Sequence, residues 1–146
     1  MLKGISPLIS PELLMVLDEM GHTDEIVLAD ANFPGFRYGR RVIQLRGVPI
    51  VPLLEAVLKL VPLDSYMDTP VALMQKVEGD SVPVPIWDEI LSTVARHDPR
   101  GAGAVEFMDK WDFYRRTKEQ AYAVVMTGET AQYGNIIIRK DVVKPD

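Results

Sequence analysis

Few side chains in this sequence can move a proton near neutral pH. Its 146 residues include two histidines, His22 and His97, and no cysteine. Without cysteine there is no disulfide, thiolate nucleophile, iron–sulfur cluster or sulfur-ligated zinc. Two histidines cannot form a three-histidine metal centre, which leaves carboxylates, tyrosines and lysines as the other acid–base groups. His22 stands beside Asp24 and Glu25, and an imidazole there can give and take protons; the bland alternative is a surface or helix-capping histidine. Asp30 closes an apolar run and can accept a hydrogen bond from a ligand hydroxyl, orient a histidine, or simply make a turn. Residues 127–135 set Glu129, Gln132, Tyr133 and Asn135 around Gly128 and Gly134. A phenol and an amide two residues apart offer donors and acceptors to a small polar ligand. Gly134 would let backbone approach such a ligand, or it is an ordinary turn glycine. His97, next to Asp98-Pro99-Arg100, reads as an exposed helix-end histidine. His22, Thr23 and Asp24 with Asp30 match no metal-ligand spacing, so no metal is expected.

The elements that must position these groups are legible in outline. Ser10-Pro11-Glu12 starts a helix, with a cap, a first-position proline and an acid at the positive dipole end. Leu13, Leu14, Leu17 and Met20 follow at helical spacing, and Gly21 stops it. His22 therefore lies in a loop. Residues 25–29 read as a buried strand, and Asp30 sits at its C-terminal end, where α/β sheets bind ligands. Further strands are expected at 41–45, 71–77, 104–108, 121–126 and 135–139, and helices at 52–60, 87–97 and 110–120. Arg100-Gly101-Ala102-Gly103 reads as a flexible connector. Trp87 is expected in the core. Trp111 and Tyr114 share a helical face, as core or as an aromatic wall for a sugar ring. Helices alternating with strands, and no dividing linker, predict one α/β layered domain over residues 1–146.

Composition sets the wider limits. Apolar residues make up 47%, charged residues 25%, and the net charge is −5. An acidic chain whose Arg pairs, 40–41 and 115–116, form no basic stripe is a poor nucleic-acid binder. No apolar run approaches the roughly 20 residues of a membrane span, and the first ten residues lack signal-peptide character. The expectation is a cytoplasmic protein with neither membrane nor nucleic-acid partner.

Five stretches resemble one known family in order along the chain: Ser6 to Leu14, Met20-Gly21-His22, Asp24 to Pro34, Val77-Glu78-Gly79-Asp80, and Val124 to Ile136. They are similar to the L-fucose mutarotase and D-ribose pyranase (RbsD/FucU) family, and Asp30-Ala31-Asn32-Phe33-Pro34 resembles its fucose branch. The resemblance implies a mixed sheet flanked by helices. It implies a cofactor-free mutarotase that interconverts the α and β anomers of a free aldose, L-fucose first. The alternatives are a ribose pyranase or a non-catalytic monosaccharide-binding module. By resemblance His22 is the general acid, with Tyr133 assisting at the anomeric hydroxyl. Asp30, Lys110, Tyr133, Gly134 and Asn135 hold the sugar. The resemblance also implies a homo-oligomer, a decameric ring with sites at subunit contacts. Two departures stand out. Thr23 occupies a position where the family usually has Gly, and Lys110 stands where the fucose branch has Arg, giving a point charge in place of a bidentate fork.

Overall fold

The fold is described from a computed structural model covering residues 1–146. In chain order the elements are α1 (Pro11–Glu19), β1 (Glu25–Ala29), α2 (Gly35–Tyr38), β2 (Val42–Leu45), α3 (Ile50–Leu58), β3 (Val71–Met74), α4 (Ile86–His97), β4 (Val105–Met108), α5 (Lys110–Gln120), β5 (Ala121–Thr127) and β6 (Ile136–Arg139). One sheet takes all six strands in the order β2-β5-β1-β6-β3-β4. β1 runs parallel to β5, β5 to β2, and β3 to β4. Only β6 is reversed, antiparallel to both β1 and β3. The expected α/β layering with a mixed sheet is what the chain adopts.

Strand alternation divides the core. On one face Ile26, Leu28, Ile43, Leu73, Ile136 and Ile138 pack with Leu13, Leu17, Leu53, Leu54, Ile90 and Val94 from α1, α3 and α4. On the other, Val27, Ala29, Met74, Val124, Met126 and Ile137 meet Phe33 and Phe113. β1 is buried at all five positions, as a strand covered on both faces requires.

Several boundaries differ from the sequence expectation for identifiable reasons. α3 begins at Ile50, and Pro52 sits in its first turn, where a backbone N–H would lack an intrahelical partner anyway. β3 ends at Met74, because Asp80 N–H turns back onto the Val77 carbonyl and draws residues 75–80 into a loop. Residues 101–104 form a 3₁₀ turn and not a loose connector. Arg100 anchors it by donating to the Asp98 carboxylate and to the Met67 and Asp64 carbonyls. α2 is a single helical turn that the sequence pattern does not announce. His97 is also not free: its Nε2 lies 3.0 Å from Glu55, tying α4 to α3.

The β5 end is held by backbone. Gly128 donates to the Val48 carbonyl at 2.9 Å, so close that a Cβ would strike the Arg46 carbonyl oxygen. Gly128→Ala is expected to destabilise by about 1–3 kcal/mol, read by urea unfolding. Gly47→Ala, with open space around its Cβ, should stay within about 0.5 kcal/mol.

Candidate active site

The parallel strands end on one edge of the sheet, and their following loops line a pocket of about 300 Å³. Asp30, Asn32 and Phe33 come from beyond β1, Met74 from the end of β3, and Val77 and Asp80 from the loop after it. Lys110 and Tyr114 come from α5, and Gln132, Tyr133 and Asn135 from the approach to β6. The volume lies at the small end of the range for ligand pockets, roughly 300–1,000 Å³. Because β6 is antiparallel, its first residues meet the last residues of β1. Asp30 N–H donates to Asn135 Oδ1 at 2.8 Å, and Asn135 Nδ2 donates to Asp30 Oδ2 at 2.9 Å. Asp30 Oδ1 accepts the Asn32 N–H. Burial raises the Asp30 carboxyl above its ordinary range, against the lowering effect of these hydrogen bonds.

Tyr133 adopts a left-handed backbone, φ +60°, a conformation costing a non-glycine residue about 1–2 kcal/mol. Three contacts hold it there. Trp87 Nε1 donates to its carbonyl at 3.1 Å, its hydroxyl donates to Asp80 Oδ2 at 2.5 Å, and the Val77 N–H reaches its oxygen at 3.4 Å. Trp87 is thus half-buried, with its ring edge-on to Phe107 and its indole N–H spent on the site. Lys110 opens α5 with its Nζ 4.9 Å above the Trp111 ring. Trp111 itself is exposed, while Tyr114 lines the pocket and stacks on Tyr38. Gly134 is buried between lining residues, and its missing Cβ leaves room for Glu129 and the Ala131 carbonyl. It faces the loop interior, so it does not line the pocket as the sequence suggested.

His22 is not in this pocket. It precedes β1, while Asp30 follows it, and the five-residue strand alone spans roughly 13 Å. The grouping of His22 and Asp24 with Asp30 therefore does not form. His22 joins residues flanking β3 and β6 at the opposite edge. Its Nε2 lies 3.2 Å from Asp64 Oδ1 and 3.6 Å from Asp141 Oδ1, and its ring rests at 5.2 Å from Tyr66. Asp64 and Asp141 are buried, while a third of the His22 side chain is exposed. Donor atoms of the three lie within 4.8 Å of one another, a spacing that can hold a cation. Both carboxylates already have protein partners. Asp64 takes the Tyr66 N–H and faces Arg139, and Asp141 takes the Ser65 hydroxyl and N–H and the Val142 N–H. The Ser65 hydroxyl bond, foremost, lowers the Asp141 carboxyl to about 2.

Sequence reasoning found Asp30, Lys110, Gln132, Tyr133 and Asn135 of the pocket. It saw Asp80 only as part of a family stretch, and missed Asp64, Asp141, Ser65 and Tyr66. Their proximity to His22 depends on strand order, which no local pattern carries.

The fold and pocket define an α/β protein with an open polar site, sized for a small ligand, at the C-terminal edge of its parallel strands. The chain belongs to the RbsD / FucU transport protein family, whose model matches residues 3–143. It is 49% identical over 142 residues to an L-fucose mutarotase of Glaesserella parasuis, covering 97% of this chain and 96% of that protein. Its fold matches FucU from Bifidobacterium longum with a TM-score of 0.94 at 46% identity, over 97% of this chain and all of that one. It also matches the fucose mutarotase of Streptococcus pneumoniae, solved in complex with L-fucose, with a TM-score of 0.91 at 46% identity, over 98% and 100% of the two chains.

Two measurements test the His22 edge. Thr23 holds φ +75°, an outlier for a β-branched residue, pinned by its N–H donating to the Lys140 carbonyl. Thr23→Gly is expected to raise the unfolding free energy by up to about 1 kcal/mol. Asp141 has a folded pKa below its unfolded value, so its contribution to stability is present above about pH 4 and is lost as pH falls toward 2. Ser65→Ala should therefore lower the melting temperature at pH 7, and the gap to wild type should narrow between pH 4 and pH 2.

Proposed function

We propose that this chain is an aldose mutarotase acting on L-fucose, and the observation that carries the reading is the pocket itself. Asp30, Asp80, Lys110, Gln132, Tyr133 and Asn135 surround one small volume with acceptors and donors, the complement of a sugar's hydroxyls. Phe33, Met74 and Val77 add an apolar stretch against which the methyl group of a 6-deoxyhexose can pack. The full-length relatedness to L-fucose mutarotases supports the same substrate.

Mutarotation opens a hemiacetal and recloses it on the other face of the aldehyde. A base takes the proton of the anomeric hydroxyl, the bond from C1 to the ring oxygen breaks, and an acid protonates that oxygen. Reclosure returns both protons. Asp30 and Asn135 lock each other and present their remaining lone pairs and N–H to sugar hydroxyls. Tyr133 stands at the anomeric hydroxyl, and Lys110 brings a single charge to the pocket rim. The acid in this reading is His22. Both neighbouring carboxylates accept hydrogen bonds and cannot donate when ionised, so Nε2 carries one proton toward Asp64, and the proton given to the ring oxygen is a second one, carried on Nδ1 of the imidazolium, which becomes neutral as it gives it up. His22 lies at the far edge of its own chain, so in this reading a second copy supplies it. That makes the active unit an oligomer, with the decameric ring as its expected form, working in the cytoplasm.

Saturation-transfer NMR on L-fucose, ribose and galactose tests the activity. Fucose anomer exchange should be fastest, and His22→Ala should lower it by about 10²-fold or more with the fold retained. Mixing His22→Ala chains with Tyr133→Phe chains under exchange conditions should restore part of the activity, because some sites then combine an intact His22 with an intact pocket. A mixture no more active than its parents would place His22 outside a shared site.

A further inference from the structure

Of the two carboxylates in the pocket, one is coupled to the phenol. Asp30 is buried, with Oδ1 on the Asn32 N–H and Oδ2 on the Asn135 amide. Asp80 is half-buried on the turn closed by Gly79, which holds φ +85°. Its Oδ1 accepts the Val82 N–H at 2.9 Å, which fixes the carboxylate plane. Its Oδ2 accepts the Tyr133 hydroxyl at 2.5 Å. The Lys76 ammonium donates to the Val82 carbonyl and steadies the same turn. An ionised carboxylate only accepts hydrogen bonds, so the phenolic proton points at Asp80. The phenol oxygen keeps two lone pairs. One meets the Val77 N–H at 3.4 Å, and the other is available to a ligand.

We propose that Asp80 is a positioning residue for ring opening: it fixes the Tyr133 phenol as a donor to itself, so that the phenol oxygen accepts the proton of the anomeric hydroxyl. The inference rests on the mutarotase reading. In the step, the proton on O1 moves to the Tyr133 oxygen as the phenolic proton moves to Asp80 Oδ2. The C1 to ring-oxygen bond breaks with its electron pair on the ring oxygen, which takes a proton from His22 of a second copy, and the O1–H electron pair becomes the carbonyl π bond. Reclosure on the opposite face runs both transfers backward, returning Asp80, Tyr133 and His22 to their starting states. Nothing is consumed. The pair also accounts for the left-handed backbone at Tyr133, since strain of this kind persists only where surrounding contacts enforce it. The hydrogen bond lowers the Asp80 carboxyl and raises the Tyr133 phenol, as a shared proton resident on the phenol requires.

Asp80→Asn is the discriminating change. The amide oxygen can still accept the Val82 N–H, but the amide NH₂ then faces the phenol and donates to it, reversing its polarity. NMR saturation transfer on L-fucose, run against sugar concentration, should show kcat reduced about 10- to 100-fold with KM within about threefold of wild type. Asp80→Glu should recover part of the lost kcat. Asp80→Asn combined with Tyr133→Phe should be no slower than Tyr133→Phe alone, since both changes remove one relay. Wild-type kcat in Asp80→Asn, a change confined to KM, or losses that multiply in the double variant would each overturn the proposal. If Asp80→Asn fails to fold, Asp80→Glu and Tyr133→Phe carry the comparison: a Glu variant slower than wild type but faster than Tyr133→Phe, with unchanged KM, supports coupling through the carboxylate position, and one at wild-type kcat or changed only in KM overturns it. A wild-type protein that does not accelerate exchange removes the mutarotase reading and this role together, whereas an active wild type matched by Asp80→Asn removes the role alone.

Discussion

Two hydrogen bonds exchanged between Asp30 and Asn135 close the seam where β1 ends and β6 begins, and the pocket is organised around that seam. Both residues are buried, so each needs the other: a buried polar group left without its partner costs about 1–3 kcal/mol. The Asn135 side chain in effect adds a rung to the β1–β6 ladder, beyond the pairing of Leu28 with Ile136. It fixes where β6 starts and hence where Tyr133 sits. With Asn135 pinned against Asp30, Tyr133 is delivered over the pocket two residues earlier. Trp87 and Asp80 then hold its carbonyl and its hydroxyl in place.

The same strand organises the opposite edge. β6 runs on to Arg139 and Lys140, where Lys140 pairs with Leu63 and exchanges backbone hydrogen bonds with Thr23 and Asp24. That pairing sets Asp141 and Asp64 beside His22. One reversed strand therefore anchors the Asp30–Asn135 pair at its start and an imidazole–carboxylate group at its end. Its length keeps them apart: four strand residues and their flanks separate Asn135 from Asp141, and no side chain spans that gap. The separation is a property of the sheet and is not relieved by loop motion.

What the sequence made legible follows from which forces are local. The α1 cap, the buried run of β1, the helical faces of α4 and α5 and the turn-rich approach to β6 are encoded within a few residues of themselves, and all are present. So is the placement of Asp30 at a strand's C-terminal end, which locates the pocket. Three things were out of reach. Pro52 looked like a helix start because the first-turn tolerance of proline leaves its position undetermined by several residues. Gly134 looked ligand-facing because a glycine's neighbours are tertiary. The Asp64 and Asp141 partners of His22 lie 42 and 119 residues away, joined only by the strand order. The motif resemblance brought His22 and Asp30 together as parts of one site, yet it said nothing of their lying at opposite edges of one chain.

That arrangement has a chemical consequence on the proposed reading. Mutarotation needs an acid and a base ready at once, and two such groups placed side by side in one pocket would pair with each other and blunt both. Enzymes meet this by giving the two groups different surroundings. Here the fold does so by distance. His22 sits beside the buried carboxylates of Asp64 and Asp141, with Arg139 on Asp64 and Arg100 on the Asp64 carbonyl. Asp80 sits on an open turn with its charge shared by a phenol and the Val82 N–H. Neither group can quench the other within a chain. If the second copy supplies His22, the acid and the Tyr133–Asp80 relay meet only across a bound sugar, and catalytic competence becomes a property of the assembly instead of the single fold.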